Sequence, residues 1–150
     1  MKSEPQAFSI DDLAHAPRQT APWDGVRNYQ ARNMLRDRMR RGDLAFFYHS
    51  SCAVPGIVGI VKISRAGYPD PTAFDPENPH FDPRSSPEKP LWYCVNVTLV
   101  RRLRTPVTLA ELRRHPTLKD LLILRRGNRL SITPVSAEHW SLILKLAGEP

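Results

Sequence analysis

The ten residues 23–32 combine the side-chain types that hold a nucleic-acid base. They read WDGVRNYQAR and supply an aromatic plate, a glycine turn, two arginines and two amides. Proteins hold single-stranded or flipped bases by stacking them on aromatic faces and hydrogen-bonding their polar edges. Arginine adds phosphate contacts, and a helix N-terminus adds backbone N–H donors for an anion. The same residue types also suit a buried Trp23 beside a solvated helix face. Residues 23–32 alone therefore do not decide whether Trp23 belongs to a binding pocket or to the core.

The sequence supports a metal site or a catalytic nucleophile less well than it supports base binding. The five histidines show no HxH, HxxxH or HExxH spacing, so no metal site and no cofactor are expected. They are His15, His49, His80, His115 and His139. Residues 49–52 place candidate nucleophiles beside an imidazole, but there is no GxSxG elbow and no glycine-rich phosphate loop. A strand end that runs into a polar turn is the favoured interpretation there.

Lys2, Ser3 and Glu4 offer an amine, a hydroxyl and a carboxylate in sequence. On a strand, successive side chains point to opposite faces, so Lys2 and Glu4 would share one face and Ser3 the other. A local catalytic triad is therefore not expected, and the chain is predicted not to be an enzyme.

Composition predicts a single basic domain over residues 1–150. Its 22 Lys and Arg against 15 Asp and Glu give 22 − 15 = +7, which favours polyanions such as DNA or RNA. The longest apolar runs are too short to span a membrane, and the first residues lack a signal-peptide pattern. The expectation is therefore a cytoplasmic monomer without membrane partners. Cys52 and Cys94 are expected to be reduced, buried thiols.

The elements that must position these residues follow from periodicity and capping. Short helices are predicted after Ser9, over 28–38 with Gly42-Asp43 beyond it, after the capping box at Thr108, and after Ser136. Strands are predicted over 44–49, 56–63, 92–100 and 130–133, and a proline-rich loop over 68–90. Because strands and helices do not alternate strictly, an α+β fold is predicted, with a small, mostly antiparallel sheet or barrel and helices packed outside.

The chain resembles EVE domains along essentially its whole length. The resemblance rests on these motifs, in order: Lys2-Ser3-Glu4-Pro5, WDGVRNYQAR, Gly42-Asp43, Phe47-Tyr48-His49-Ser50, Gly56-Ile57-Val58-Gly59, Tyr68-Pro69-Asp70-Pro71 and Arg129-Leu130-Ser131. EVE domains belong to the PUA-like superfamily, whose fold is a mixed, mostly antiparallel β-barrel with flanking helices. The resemblance therefore implies a closed barrel and a non-catalytic reader of a modified base, with modified cytosine in DNA as the leading ligand.

The resemblance also implies residue roles, by analogy with the related YTH domains and their aromatic cage. Trp23 would stack on the base, Ser3 and Asn28 would bond its polar edge, and Lys2, Arg27 and Arg32 would meet phosphates. The other implied site residues are Tyr29, Tyr48, His49, Ser50, Arg129 and Ser131. Family members usually begin a few residues before the Lys-Ser-Glu-Pro motif, so the placement of Lys2 and Ser3 depends on a short first strand.

Two alternatives remain open at this stage. A general RNA- or tRNA-binding protein would use the arginines of 36–41 and 101–104. A small hydrolase of modified nucleosides would use Lys2 and Glu4.

Overall fold

The chain folds around one five-stranded sheet with helices on both faces. The computed structural model describes residues 1–149. The strands, numbered in chain order, are β1 (Lys2–Ser3), β2 (Thr20–Trp23), β3 (Leu44–His49), β4 (Gly56–Pro69) and β5 (Tyr93–Thr108). The α-helices are α1 (Ile10–His15), α2 (Tyr29–Asn33), α3 (Leu109–Arg113) and α4 (Ala137–Leu146). A π-helical turn (Met34–Arg38) extends α2, and 3-10 turns occupy Pro17–Gln19, Pro71–Phe74, Pro116–Leu118 and Leu122–Leu124.

The strand order is β1-β3-β4-β5-β2. β1 runs parallel to β3, while the β3–β4, β4–β5 and β2–β5 pairs are antiparallel. The α+β class and the mostly antiparallel sheet are therefore confirmed. Over residues 1–149 the sheet is open, with β1 and β2 at its ends, and the closed barrel stays a prediction.

Alternation along β3 divides the core into two layers. Phe47 packs with Leu13, Leu35 and Trp23 under α1 and α2, whereas Phe46 and Tyr48 pack under α3 and α4. Successive strand side chains point to opposite faces, so one strand supplies both layers. The first layer lies behind residues 23–28, and it therefore supports the segment that the sequence singled out.

Capping side chains fix where the helices begin. Ser9 accepts the backbone N–H of Asp12, and the Asp12 carboxylate accepts the N–H of Ser9, which completes a capping box. Thr108 and Ser136 cap α3 and α4 from one side only, each accepting an N–H three residues on, so the capping box predicted at Thr108 has only its first bond within residues 1–149. These three predicted starts are confirmed.

The predicted helix over 28–38 has the right extent, with Asn28 as its N-cap, but it is α-helical only over Tyr29–Asn33 and π-helical over Met34–Arg38. Other predicted boundaries are wrong. β4 and β5 run well past their predicted ends, because they pair with each other as a long, bulged hairpin. The predicted strand over 130–133 is absent, although Ser131 still accepts the backbone N–H of Lys2 at 2.7 Å.

Candidate functional site

A cleft of about 680 Å³ opens beside residues 23–28. Its walls come from β1 with the turn after it, from the end of β2, and from a loop near the C-terminal quarter of the chain. Seven of the twelve predicted site residues line it: Lys2, Ser3, Trp23, Arg27, Asn28, Arg129 and Ser131. The remaining lining residues are Glu4, Ala7, Phe8, Ala21, Pro22, Asp24, Gly25, Val26 and His80. The roles assigned to the predicted residues stay predictions.

Trp23 belongs both to the core and to the cleft wall. It ends β2, is 8% exposed, and meets the Phe47 ring edge-on with centroids 5.5 Å apart. Core packing therefore fixes the indole, and only a small part of it is presented to the cleft. The interpretation of Trp23 as a core residue is thus confirmed, and stacking of a base on it stays a prediction.

The turn after Trp23 requires glycine. Gly25 has a φ of +76°, and a Cβ there would lie 2.7 Å from the His80 ring. Its backbone N–H donates to the carboxylate of Asp70 at 2.8 Å. The turn is thus held against the proline-rich loop that follows β4.

Arg27 fastens the same turn from the other side. Its guanidinium donates to Val26, His80 and Thr72 oxygens and to the Asp70 carboxylate, at 2.7 to 3.1 Å. A guanidinium has five N–H donors, and these contacts use all five. The predicted phosphate contact of Arg27 therefore gains no support from this conformation, in which the side chain positions the cleft wall.

Asp70 is the buried centre of this network. Burial alone raises a carboxyl pKa, but hydrogen bonds from the Thr72 hydroxyl, the Gly25 N–H and Arg27 outweigh it and lower the pKa of Asp70. Its side chain is fully buried, while that of Arg27 is 22% exposed. The loop over 68–90 is therefore tied to the cleft by an ionised carboxylate.

Ser3 and Asn28 keep hydrogen-bonding capacity toward the cleft. The Ser3 hydroxyl donates to the Phe8 carbonyl, so its lone pairs remain to accept. Asn28 caps α2, and its Oδ1 accepts the N–H of Ala31 at 3.0 Å. Within residues 1–149 the Asn28 Nδ2 has no hydrogen-bond partner, which leaves an acceptor at Ser3 and a donor at Asn28.

Five predicted site residues lie outside the cleft lining. Tyr48 is 4% exposed and lines a separate apolar cavity of about 350 Å³. His49 Nε2 accepts the Ile10 N–H at 3.1 Å, and burial lowers the pKa of His49. The Ser50 N–H donates to the Ser3 carbonyl at 3.0 Å. His49 and Ser50 thus support the cleft from behind.

Tyr29 and Arg32 belong to an aromatic cluster next to the cleft. The Tyr29 ring stacks on Trp92 with centroids 4.9 Å apart, and the Arg32 guanidinium lies 4.9 Å from the Tyr29 centroid. Arg32 also donates to the Leu91 carbonyl, and Trp92 donates to Asp82 at 2.8 Å. Tyr29 is 48% exposed, so this cluster presents one aromatic face to solvent.

Asp24 and His80 line the cleft and were not among the predicted site residues. His80 could not be found from sequence spacing, because 55 positions separate it from Gly25, whose turn it covers. Asp24 lies within residues 23–32. Its position between Trp23 and Gly25 could have identified it as a site residue.

Neither a metal cluster nor a membrane span is evident in the described part of the chain. Residues 1–149 contain no group of three or more His, Cys, Asp or Glu side chains placed to hold a metal ion. No helix within the same range has the length and apolarity needed to cross a membrane.

Fold and cleft together define a small α+β domain with an open cleft that three cations and two carboxylates line. The EVE domain family model matches residues 1–146. Human thymocyte nuclear protein 1 is 45% identical over 163 residues, which cover 97% of this chain and 72% of that protein. The chain belongs to the EVE domain family.

Solved structures agree with this assignment. A Pseudomonas syringae protein superposes with a TM-score of 0.92 at 48% identity, covering 98% of this chain and 97% of that one. The human THYN1 protein in complex with 5-methylcytosine containing DNA superposes with a TM-score of 0.92 at 44% identity. That match covers 100% of this chain and 96% of the human one.

Proposed function

We propose that this chain binds DNA without catalysing a reaction, and that it holds a modified cytosine, 5-methylcytosine first, in the cleft beside Trp23. Two observations support this proposal. The fold has an open cleft beside Trp23, and it is similar over its full length to a protein described in complex with 5-methylcytosine containing DNA. The cleft volume of about 680 Å³ also lies within the range of small-molecule sites.

The binding free energy is expected to come partly from contacts to the base and partly from contacts to the DNA phosphates. Flipping a base out of a duplex costs a few kcal/mol, and stacking on an aromatic side chain returns about 1–3 kcal/mol. A methyl group in an apolar slot adds about 0.8 kcal/mol, which is several-fold in affinity. Phosphate contacts must therefore supply most of the binding.

Lys2 and Arg129 are the cleft cations best placed for phosphate. Both line the cleft, and neither forms an ion pair with any residue in 1–149. By contrast, Arg36, Arg101 and Arg102 of the alternative basic surfaces pair with Asp37, Glu149 and Asp11. The other arginines of those surfaces, Arg38, Arg40, Arg41 and Arg104, form no ion pair within residues 1–149 either, so the test of the proposal includes them.

The geometry of Ser3 favours binding over hydrolysis. A serine nucleophile is activated by a neighbouring base that takes its proton. The Ser3 hydroxyl instead donates to the Phe8 carbonyl, an oxygen that cannot act as that base. Lys2, Ser3 and Glu4 all line the cleft, but none of the three is placed there beside an activated nucleophile.

The test compares Trp23→Ala with Trp140→Ala in fluorescence-anisotropy titrations of DNA carrying one 5-methylcytosine or one cytosine. Trp140 is the matched control, because it lines the separate apolar cavity and packs on Phe46. Trp23→Ala is expected to weaken binding about tenfold or more and to abolish the methyl preference. Trp140→Ala should retain both at temperatures where circular dichroism shows it folded.

Equal binding of methylated and plain DNA by the intact chain would refute the modified-base part of the proposal. Turnover of a nucleoside that is lost in Lys2→Ala would refute the non-catalytic part. Binding that is insensitive to Trp23→Ala but lost on charge reversal at Arg38 and Arg40 would favour the general nucleic-acid binder instead.

A further inference from the structure

A pocket that recognises the C5-methyl group by stacking and apolar contact cannot distinguish 5-methylcytosine from thymine. In DNA, thymine carries a C5-methyl group, as 5-methylcytosine does, and the two bases differ at position 4. Cytosine has an amino donor there, and thymine has a carbonyl acceptor. A reader of 5-methylcytosine therefore needs a fixed hydrogen-bond acceptor near position 4, or it will also bind thymine.

Asp24 is placed to be that acceptor. It lies in the cleft directly after Trp23, the proposed stacking residue. Its side chain forms no ion pair within residues 1–149, and its one hydrogen bond there is with its own backbone. Its lone pairs therefore remain largely unused by the protein.

The charge of Asp24 works against phosphate binding. A carboxylate in a cleft lined by Lys2, Arg27 and Arg129 repels the polyanion that those cations attract. Burial and the nearby Asp70 also raise the pKa of Asp24, with His80 and Arg27 opposing them, so the protein itself does not favour the charge. A partner from the ligand, such as an amino group, would offset that cost.

The backbone around Asp24 is held in place. The next residue, Gly25, donates to Asp70 at 2.8 Å, and Arg27 donates to the same carboxylate at 3.0 Å. Binding constellations gain specificity when a second set of contacts fixes their geometry. Asp24 therefore sits on a fixed turn beside a fixed indole.

We propose that Asp24 is the specificity-determining residue of the cleft: its carboxylate accepts a hydrogen bond from the 4-amino group of a cytosine base held against Trp23, and it repels the 4-carbonyl of thymine or uracil. This proposal rests on the proposed function, and it adds the discrimination that methyl recognition cannot give. Aspartate accepting from the cytosine amino group is one of the side-chain pairings that the base edges permit.

Glu4 is the other acidic residue that lines the cleft. It follows β1, is exposed, and is not held by the Asp70 network. It therefore provides a matched control, since Glu4→Gln removes the same charge from the same cleft.

The test uses four duplexes that differ in one nucleotide: cytosine, 5-methylcytosine, uracil or thymine. Each test nucleotide is placed opposite an abasic site, so that no base pair is broken on binding. Comparison of methylated with unmethylated bases measures methyl recognition, which belongs to the proposed function. Comparison of amino with carbonyl bases measures the effect assigned to Asp24.

The wild-type chain is expected to bind the amino bases about tenfold more tightly than the carbonyl bases. Asp24→Asn should reduce that ratio to about twofold or less, because an amide offers both a donor and an acceptor. It should also strengthen binding of all four duplexes, because a negative charge leaves the cleft. Glu4→Gln should also strengthen binding of all four duplexes, but it should retain the tenfold preference for amino over carbonyl bases.

Retention of the amino preference in Asp24→Asn, or its absence from the wild-type chain, would overturn the proposal. An amino preference without a methyl preference would support the role of Asp24 while the methyl part of the proposed function fails. Because asparagine has nearly the shape of aspartate and the Asp24 side chain bonds only to its own backbone, Asp24→Asn is expected to fold, and an unchanged circular dichroism spectrum checks this.

Discussion

The open cleft beside Trp23 and the apolar cavity beside Trp140 differ in how they are built. Hydrogen bonds over long sequence separations hold the cleft, as with Arg27 and Asp70, whereas ring stacking of Phe46 on Trp140 at 3.8 Å helps to hold the cavity. The cleft presents cations, carboxylates and the Asn28 amide, while the cavity presents mainly methionine, isoleucine and aromatic side chains. The comparison predicts that a change at the cavity affects stability alone, whereas a change at the cleft affects recognition and stability together, because Trp23 and Arg27 of the cleft wall also hold the fold.

The largest effect on stability is expected at the cavity. Phe46→Ala removes a 5%-exposed ring that stacks on Trp140, and it should lower the free energy of unfolding by about 3–5 kcal/mol. Urea denaturation measures this loss. DNA affinity of the folded variant should stay within about twofold, since the thermodynamics of distant sites are usually additive. A large loss of affinity in folded Phe46→Ala would show that the two regions are coupled.

A smaller effect is expected at the wall of the cleft. Arg27→Lys keeps the positive charge, but an ammonium group cannot donate to Val26, Thr72 and His80 at once as the planar guanidinium does. Partners left without donors should cost about 1–3 kcal/mol of unfolding free energy. Selectivity between amino and carbonyl bases should fall as well, because the turn that carries Asp24 loosens.

Chemical denaturation and the four-duplex titration check the two parts of this prediction. Lys145→Ala on α4 is a control, since it removes an exposed cation from the opposite layer. Full selectivity in a destabilised Arg27→Lys chain would show that the turn does not position Asp24.

The smallest expected effect concerns pH. His49 accepts the Ile10 N–H through Nε2, so the ring must be unprotonated there, and burial lowers its pKa. The unfolded chain then binds a proton more readily than the folded one, so stability contributed by His49 is present above the unfolded pKa of about 6.5 and is lost as pH falls below it.

Unfolding midpoints at pH 8 and pH 5 measure this effect against His49→Gln, which retains an acceptor but does not titrate. The wild-type midpoint should fall further than that of the variant. Equal falls would show that His49 carries no pH dependence and that the support it gives to the cleft is steric.

Local sequence patterns predicted the parts of the fold that local physics determines. Ser9 and Ser136 begin helices because their side chains cap the first turn, and residues 44–49 form β3 with the predicted bounds. β2 was not predicted, since its four residues include Pro22 and it exists through pairing with β5, more than 70 positions away. The extent of β5 likewise depends on its partner β4.

The candidate site follows the same division. Residues 23–32 were found because aromatic, arginine and amide side chains occur together there. Whether Arg27 contacts a phosphate or the protein depends on Asp70 and His80, which no spacing rule connects to it. Asp24 was passed over because an acidic side chain argues against nucleic acid until its position beside Trp23 is known.

The Arg27 network also has a consequence for the order of folding. Its bonds to Asp70 and His80 join residues 43 and 53 positions apart, so a long loop must close before either bond can form. Loop closure costs entropy that non-local contacts repay only afterwards. The cleft wall should therefore assemble late in folding and open early in native-state hydrogen exchange, so that only a completely folded chain can bind its ligand.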